Sequence, residues 1–331
     1  MKVGLLGNGG WGTALMDLLA PNHDIRWYMR KGEDAAEFNT FKVIHHMPFS
    51  SSRDIPCSGI VSPMASRLDD RRHYWNNVIA TSHINDVIEN SDIIILAIPT
   101  AFIERELDKI NVNISDKVWI VTSKGFVDGG TICDYIYKKF NASEDNITYL
   151  SGPCHAEEMF IGKRNFLTIT GSARATVQLV KVLFSNTNTT ITYGGSETTQ
   201  QELVAAVKNV YAIATGIFDA LGYGDNMKAV LVKNAICEMK SLVGLDNIFK
   251  TATIGDLLVT CYSTLSRNYK YGLSLINGTS LDTKPEGFTT VRCIKDLIST
   301  PIIDFVYYCV YEAVSESDIK DKAEQLINTM S

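Results

Sequence analysis

Residues 3–6 (VGLL) run without a break into Gly7-Asn8-Gly9-Gly10-Trp11-Gly12, and residues 13–20 then read TALMDLLA. An apolar run, a glycine cluster and a helix-like stretch in that order predict strand, tight turn and helix. Gly7, Gly9 and Gly12 have the G-x-G-x-x-G spacing. The first glycine permits the turn, the second lets backbone approach a pyrophosphate, and the third lets helix pack closely on strand. The helix N-terminus would offer free N–H groups to phosphates. The turn from Gly7 through Asn8, Gly9 and Gly10 to Gly12 is therefore a candidate dinucleotide site.

The pattern repeats outward. Residues 25–29 (IRWYM), 93–98 (IIILAI), 118–122 (VWIVT), 147–150, 166–170 and 190–193 read as strands, most of them separated by helical stretches. Such βαβ alternation predicts an α/β fold, with an N-terminal Rossmann-type, doubly wound, mostly parallel sheet. From Glu197 the texture becomes helical, over 200–221, 228–243, 254–263, 266–276, 287–297, 302–312 and 317–329. The expected organisation is a dinucleotide-binding domain at 1–194 and an all-α substrate domain at 195–331. A chain of 331 residues suits two domains at roughly 150 residues each. Residues 38–78 read as an irregular insertion, with prolines at 48, 56 and 63 and the charge cluster RLDDRRH at 67–73. Loops of that length inside compact domains are usually functional or mobile.

Composition excludes several classes of function. Hydrophobic residues make up 45% and charged residues 21%, as in ordinary globular chains, and the net charge of −6 offers no overall basic field to nucleic acid or anionic membrane. Seven scattered cysteines with no CxxC read as reduced thiols, which points to the cytoplasm. The run at 93–98 is far shorter than the ~18 residues that span a bilayer, so no membrane insertion is expected. His155-Ala156-Glu157 has no PCxxC after it, HExxH is absent, and Gly129-Gly130-Thr131 lacks the spacing and lysine of a P-loop. No metal site is expected.

Charged residues placed in or beside apolar segments are the candidate chemistry. Lys208 and Asn209 are the only polar residues over twelve positions of a stretch that is apolar nearly all round. A buried ammonium is either locked in an ion pair or tuned for proton transfer, and the sequence leaves both open. Lys124 follows the strand at 118–122, at a strand's C-terminal end, where open α/β sheets bind ligands. Asp256 interrupts IGDLLVT, and Ser266-Arg267-Asn268 comes ten residues later, with a guanidinium suited to phosphate or carboxylate. Taken alone, Arg267 also reads as a surface helix residue. After the second strand the chain has Arg30-Lys31 rather than an acidic residue, the choice a ribose 2′-phosphate would select; two solvated charges are the alternative.

Taken together, GNGGWGTAL at 7–15, SDIIILAIPTAF at 91–102, SKG at 123–125, SGPCHAEE at 151–158, VAAVKNVYAIATGI at 204–217, GDLLVTCYSTLSRN at 255–268 and PEGFTTV at 285–291 resemble the bacterial-type NAD(P)-dependent glycerol-3-phosphate dehydrogenases over nearly the whole chain. The resemblance implies Lys208, Lys124 and Asp256 as catalytic residues. It implies substrate contacts from Lys124, Gly152, Cys154, Lys208, Asn209, Asp256, Ser266, Arg267 and Asn268. Cofactor contacts would come from the glycine turn with Trp11, and from Arg30, Lys31, Pro99, Phe102, Lys124, Ala156, Arg267 and Glu286. It further implies NADP or NAD as cofactor, dihydroxyacetone phosphate and sn-glycerol 3-phosphate as substrates, a role in glycerophospholipid synthesis, and a homodimer; the Arg30-Lys31 pair after the second strand makes NADPH the expected preference. The chain departs from the family in three places: Cys154 replaces a small hydroxyl residue, 38–78 is longer, and the stretch between Asn268 and Glu286 is shorter. Two other readings fit the same architecture: a nucleotide sensor without turnover, and a dehydrogenase for another hydroxyacid.

Overall fold

A computed structural model describes residues 1–44, 74–185, 187–281 and 283–330. These form two compact units, the first comprising 1–123, 136–150 and 154–196, the second 124–135, 151–153 and 197–331.

The first unit is built on an eight-stranded sheet. Its strands are β1 (Lys2–Leu6), β2 (Asp24–Tyr28), β3 (Val78–Thr81), β4 (Ile93–Leu96), β5 (Val118–Val121), β8 (Ile147–Ser151), β9 (Asn165–Thr170) and β10 (Thr189–Tyr193). Their spatial order is β10-β9-β8-β5-β4-β1-β2-β3. β1 lies parallel to β2 on one side (Val3↔Ile25) and to β4 on the other (Val3↔Ile93). The order therefore reverses between β1 and β4, the switch point outside which doubly wound sheets bind ligands. Strands covered on both faces need continuous apolar runs, and β4 has four fully buried residues in succession. The core beneath joins Leu5, Leu15, Ile95, Trp27 and Phe38, with the last two rings edge to face at 5.1 Å.

β3, paired with β2 in the register Ile25↔Val78, was not anticipated, because four residues (VIAT) behind a charge cluster carry no periodic signal. Of the irregular stretch at 38–78, residues 45–73 lie outside the described residues. Its described flanks are regular: the helix Gly32–Phe41 extends into it, and the 3-10 turn Tyr74–Asn77 leads into β3.

The second unit is organised around one helix, Thr198–Ala220, whose residues from Val204 to Phe218 are all buried. The helices Gly224–Val243, Asp256–Tyr262, Arg267–Asn277, Glu286–Ile294 and Pro301–Tyr311 pack around it. Among the described residues only this helix is long and apolar enough to cross a membrane, and 83% of its apolar window is buried by its neighbours. Its hydropathy is that of a core helix, apolar all round because it is covered all round. The stretch expected to be helical from residue 254 starts instead with a wide π turn, Thr251–Gly255, and the helix proper begins at Asp256. A short hairpin, β6 (Phe126–Val127) with β7 (Gly130–Thr131), also belongs to this unit.

Two glycines set a close contact between helices. A Cβ on Gly216 would lie 2.1 Å from the Tyr269 carbonyl oxygen, and one on Gly272 2.1 Å from that of Ile213. The helices Thr198–Ala220 and Arg267–Asn277 thus meet backbone to backbone. Gly216→Ala should lower unfolding free energy by about 1–3 kcal/mol or more, the usual range for overpacking. Denaturant titration reads this as a lower midpoint; a midpoint equal to that of the parent protein would rule the contact out.

Candidate active site

In the first unit the glycine turn has the geometry its spacing demands. Gly7 lies at φ +117°, where a Cβ would stand 2.6 Å from the Ala97 oxygen, and a Cβ on Gly12 would be 2.2 Å from the Gly7 oxygen. Trp27 Nε1 donates to that same Gly7 oxygen at 2.9 Å and pins the turn. A Cβ on Gly9 would meet nothing within 4 Å. The helix Gly10–Leu19 begins there with no side-chain cap. Open space over uncapped helix N–H groups fits a pyrophosphate. Trp11 Nε1 is buried with no hydrogen-bond partner, a donor left for a ligand to meet. The residues present therefore fit a dinucleotide.

The other expected cofactor residues of this unit are spread around the turn. Ala156 opens the short helix Ala156–Phe160, which packs on Gly10–Leu19. Pro99 is exposed and leads into the turn Thr100–Phe102 beyond β4. Arg30 and Lys31 are exposed beyond β2, and the Arg30 guanidinium lies 5.8 Å from the centre of the Phe102 ring. Arg105, whose guanidinium lies 5.0 Å from the same ring, is held by Glu106 at 2.8 Å. Glu33 and Asp34 fall in the first turn of Gly32–Phe41, where acidic side chains suit the helix dipole. Cys154 directs its thiol at Asn165 Oδ1, 3.2 Å away.

The second unit gathers the charged residues. Lys208 projects from the buried helix to Asp256, the first residue of its own helix; Lys208 Nζ donates to Asp256 Oδ1, and to Thr260 Oγ1 at 2.9 Å. Lys124 Nζ donates to the other Asp256 oxygen at 3.3 Å. One carboxylate thus serves two ammonium groups. Side-chain exposure is 5% for Lys208, 2% for Asp256 and 21% for Lys124. A buried set with a surplus positive charge favours losing a proton, and the more deeply buried lysine is the one to lose it. Burial, opposed by Asp256 and reinforced by Lys124, brings Lys208 down to about 7. Burial also works against Lys124, but Asp256, with Lys208 and Glu286, holds it above its ordinary value. Glu286 is raised by burial, against the pull of both lysines and Arg267.

Beside this triad lies an amide network. Asn268 Nδ2 donates to Asn209 Oδ1 at 2.9 Å, Asn268 Oδ1 accepts from Gly287 N at 2.8 Å, and Asn209 Nδ2 reaches Glu286 Oε2 at 3.4 Å. The side chain of Asn268, expected at the substrate, is thus bonded within the protein on both its oxygen and its nitrogen. Ser266 caps the helix Arg267–Asn277 by accepting from Tyr269 N, and Arg267 beside it is exposed and donates to Thr283. Gly152 has φ +154°, and Pro153 lies against Gly255, next to Asp256. Thr260 was missed, although its place four residues after Asp256 puts it on the same helix face.

A switch-point glycine turn, with a helical unit carrying two lysines on one buried carboxylate, defines a Rossmann-type dehydrogenase. Residues 70–177 and 197–321 match the N- and C-terminal parts, respectively, of the NAD-dependent glycerol-3-phosphate dehydrogenases. The chain is 30% identical to the glycerol-3-phosphate dehydrogenase [NAD(P)+] of Macrococcus caseolyticus over 99% of its own length and 98% of the relative's. Identity to the same-named protein of Staphylococcus aureus is also 30%, over 98% of each chain. The crystal structure of glycerol-3-phosphate dehydrogenase from Coxiella burnetii superposes with a TM-score of 0.81, at 21% identity and 98% coverage of each chain. That of the Dunaliella salina enzyme gives 0.79 at 17% identity, over 97% of this chain and 60% of that one. The protein belongs to the NAD-dependent glycerol-3-phosphate dehydrogenase family, oxidoreductases that use NAD(P) to act on a CH–OH group.

Lys208→Met keeps the stem and removes the charge. The fold should survive, since Asp256 keeps Lys124 as its partner and is not left as an unpaired buried charge, while kcat falls by roughly 10² to 10⁴ if the ammonium takes part in proton transfer. Steady-state kinetics with circular dichroism separates the two effects. A kcat within about threefold of the parent, a barrier change of only ~0.7 kcal/mol, would remove Lys208 from the chemistry.

Proposed function

We propose that the protein catalyses the reversible reduction of dihydroxyacetone phosphate to sn-glycerol 3-phosphate, with the Lys208–Asp256–Lys124 arrangement as the observation that carries the assignment. Bound nicotinamide supplies or takes up the hydride. Hydride arrival at the substrate's C2 leaves negative charge on its oxygen, and a positioned acid must meet that charge. Lys208, lowered to about 7, can give up a proton there and take it back in the reverse direction. Lys124, held in its charged form, polarises the same oxygen without losing its proton. Asp256, shared by both, fixes the two nitrogens relative to one another. Reduction needs protonated Lys208, so its kcat should fall as pH rises through about 7, whereas alcohol oxidation, which needs the neutral amine, should rise over the same interval. A reduction rate that is flat from pH 6 to 9 would contradict the assignment.

Arg267, exposed at the start of its helix, is the group for the substrate phosphate, with Asn209 and Asn268 bracing the neighbouring helix ends. Arg267→Ala should raise KM for dihydroxyacetone phosphate by about tenfold or more, since a hydrogen bond to a charged group contributes ~1.5–3 kcal/mol. The parent protein should not turn over unphosphorylated dihydroxyacetone. Equal rates on both ketones would sink the phosphate clamp.

NADPH is the preferred cofactor in this reading. Support comes from Arg30 beyond β2, with its guanidinium beside the Phe102 ring, and from Glu33 and Asp34 being placed at a helix N-terminus. Arg30→Ala should raise KM for NADPH about tenfold and leave that for NADH nearly unchanged. An equal rise for both would assign Arg30 to adenine stacking instead. The product would feed glycerophospholipid synthesis. Among the described residues Cys133, Cys237, Cys261 and Cys309 are free thiols, which supports a reducing, cytoplasmic setting. A homodimer belongs to the same reading on the resemblance alone.

A further inference from the structure

Glu202 is fully buried and lies on the same helix as Lys208, six residues before it, yet the proposed chemistry makes no use of it. Its carboxylate accepts the backbone N–H of Ile132 at 2.6 Å through one oxygen and that of Cys133 at 3.2 Å through the other. These residues open the helix Ile132–Phe140, whose first N–H groups have no partner within the helix. An anion at that end also meets the positive pole of the helix dipole. Burial pushes the Glu202 carboxyl up to about 7, with the two N–H donors resisting and Asp134 adding to the rise.

What this anchor holds is the strap that carries Lys124. The strap starts at Lys124, forms the hairpin of β6 and β7 in the register Phe126↔Thr131 and Val127↔Gly130, and ends at Ile132. β6 packs on the helix Glu286–Ile294 and β7 on Thr198–Ala220. The preceding residue, Gln201, does the same for the other charged segment, donating Nε2 to the Ala252 oxygen at 3.1 Å, four residues before Asp256. Adjacent residues on the Lys208 helix thus grip the two segments that bring Asp256 and Lys124 to it.

We propose that Glu202 is a positioning residue: by anchoring the start of Ile132–Phe140 on the Lys208 helix, it holds the strap so that Lys124 Nζ reaches Asp256. The inference rests on Lys124 acting at the substrate oxygen. Glu202→Gln keeps the shape, removes the charge and turns an NH₂ toward one of the two N–H groups. With NADPH and dihydroxyacetone phosphate its kcat should fall about tenfold with KM for NADPH unchanged, and exchange of the Ile132 and Cys133 amides should quicken by a similar factor. In the Lys124→Ala background the same substitution should change kcat by less than about twofold, because its effect passes through Lys124.

Equal fractional losses in both backgrounds, or parent-like kcat for Glu202→Gln beside an impaired Lys124→Ala, would overturn the positioning role and leave the role of Lys124 intact. Parent-like kcat for Lys124→Ala would instead overturn both, with amide exchange still showing whether the anchor exists. Should Glu202→Gln fail to fold, Glu202→Asp, which carries the charge one methylene short of the N–H groups, takes its place under the same outcomes.

Discussion

Two ammonium groups share one buried carboxylate in this protein, and much of the helical unit is arranged to make that tolerable. An ion pair in the interior recovers its desolvation penalty only if its geometry is held and its remaining valences are satisfied. Both Asp256 oxygens are taken by the two ammonium groups, and Thr260 one turn on accepts from Lys208. The surplus positive charge falls to the least accessible nitrogen, where it is hardest to keep. A proton that is easily lost at neutral pH thus follows from the packing, with no acidic or basic residue beyond the triad required to explain it.

The same helix explains why so much of the site was legible in the sequence. Lys208 and Asn209 stand out because every neighbouring position is apolar, and polar residues set into such a background need partners. Gly7, Gly9 and Gly12 stand out because their spacing encodes close contacts along a strand, a turn and a helix that are contiguous in the chain. Asp256 and Lys124 were visible as charges at the edges of apolar runs. Their shared carboxylate was not, since the pairing spans 132 residues and depends on a π turn that composition does not announce.

What stayed hidden has a common physical character. Gly216 and Gly272 look like ordinary helix glycines until the two helices cross. Glu202 looks like a solvent-facing residue at a helix start, because its partners are backbone N–H groups 70 residues earlier in the chain. β3 is too short to show a period. Asn268 stood out as a candidate site residue but its bonding did not: the side chain joins Asn209 to Gly287, so that it braces two helix ends. Local patterns report the residues that need special surroundings, whereas long-range hydrogen bonds that use backbone atoms leave no mark on side-chain chemistry.

The crossing at Gly216 and Gly272 fixes more than stability. Where helices meet through bulky side chains, a changed side chain shifts the axis and carries every attached group along. Here the two main chains are themselves the contact surface, so the separation and rotation of the Arg267–Asn277 helix are set by peptide atoms common to all residues. The start of that helix, with Ser266, Arg267 and Asn268, is therefore decoupled from the identity of the apolar residues farther along it. Core composition can drift in the helical unit while the register between Arg267 and the buried lysine on the neighbouring helix stays constant.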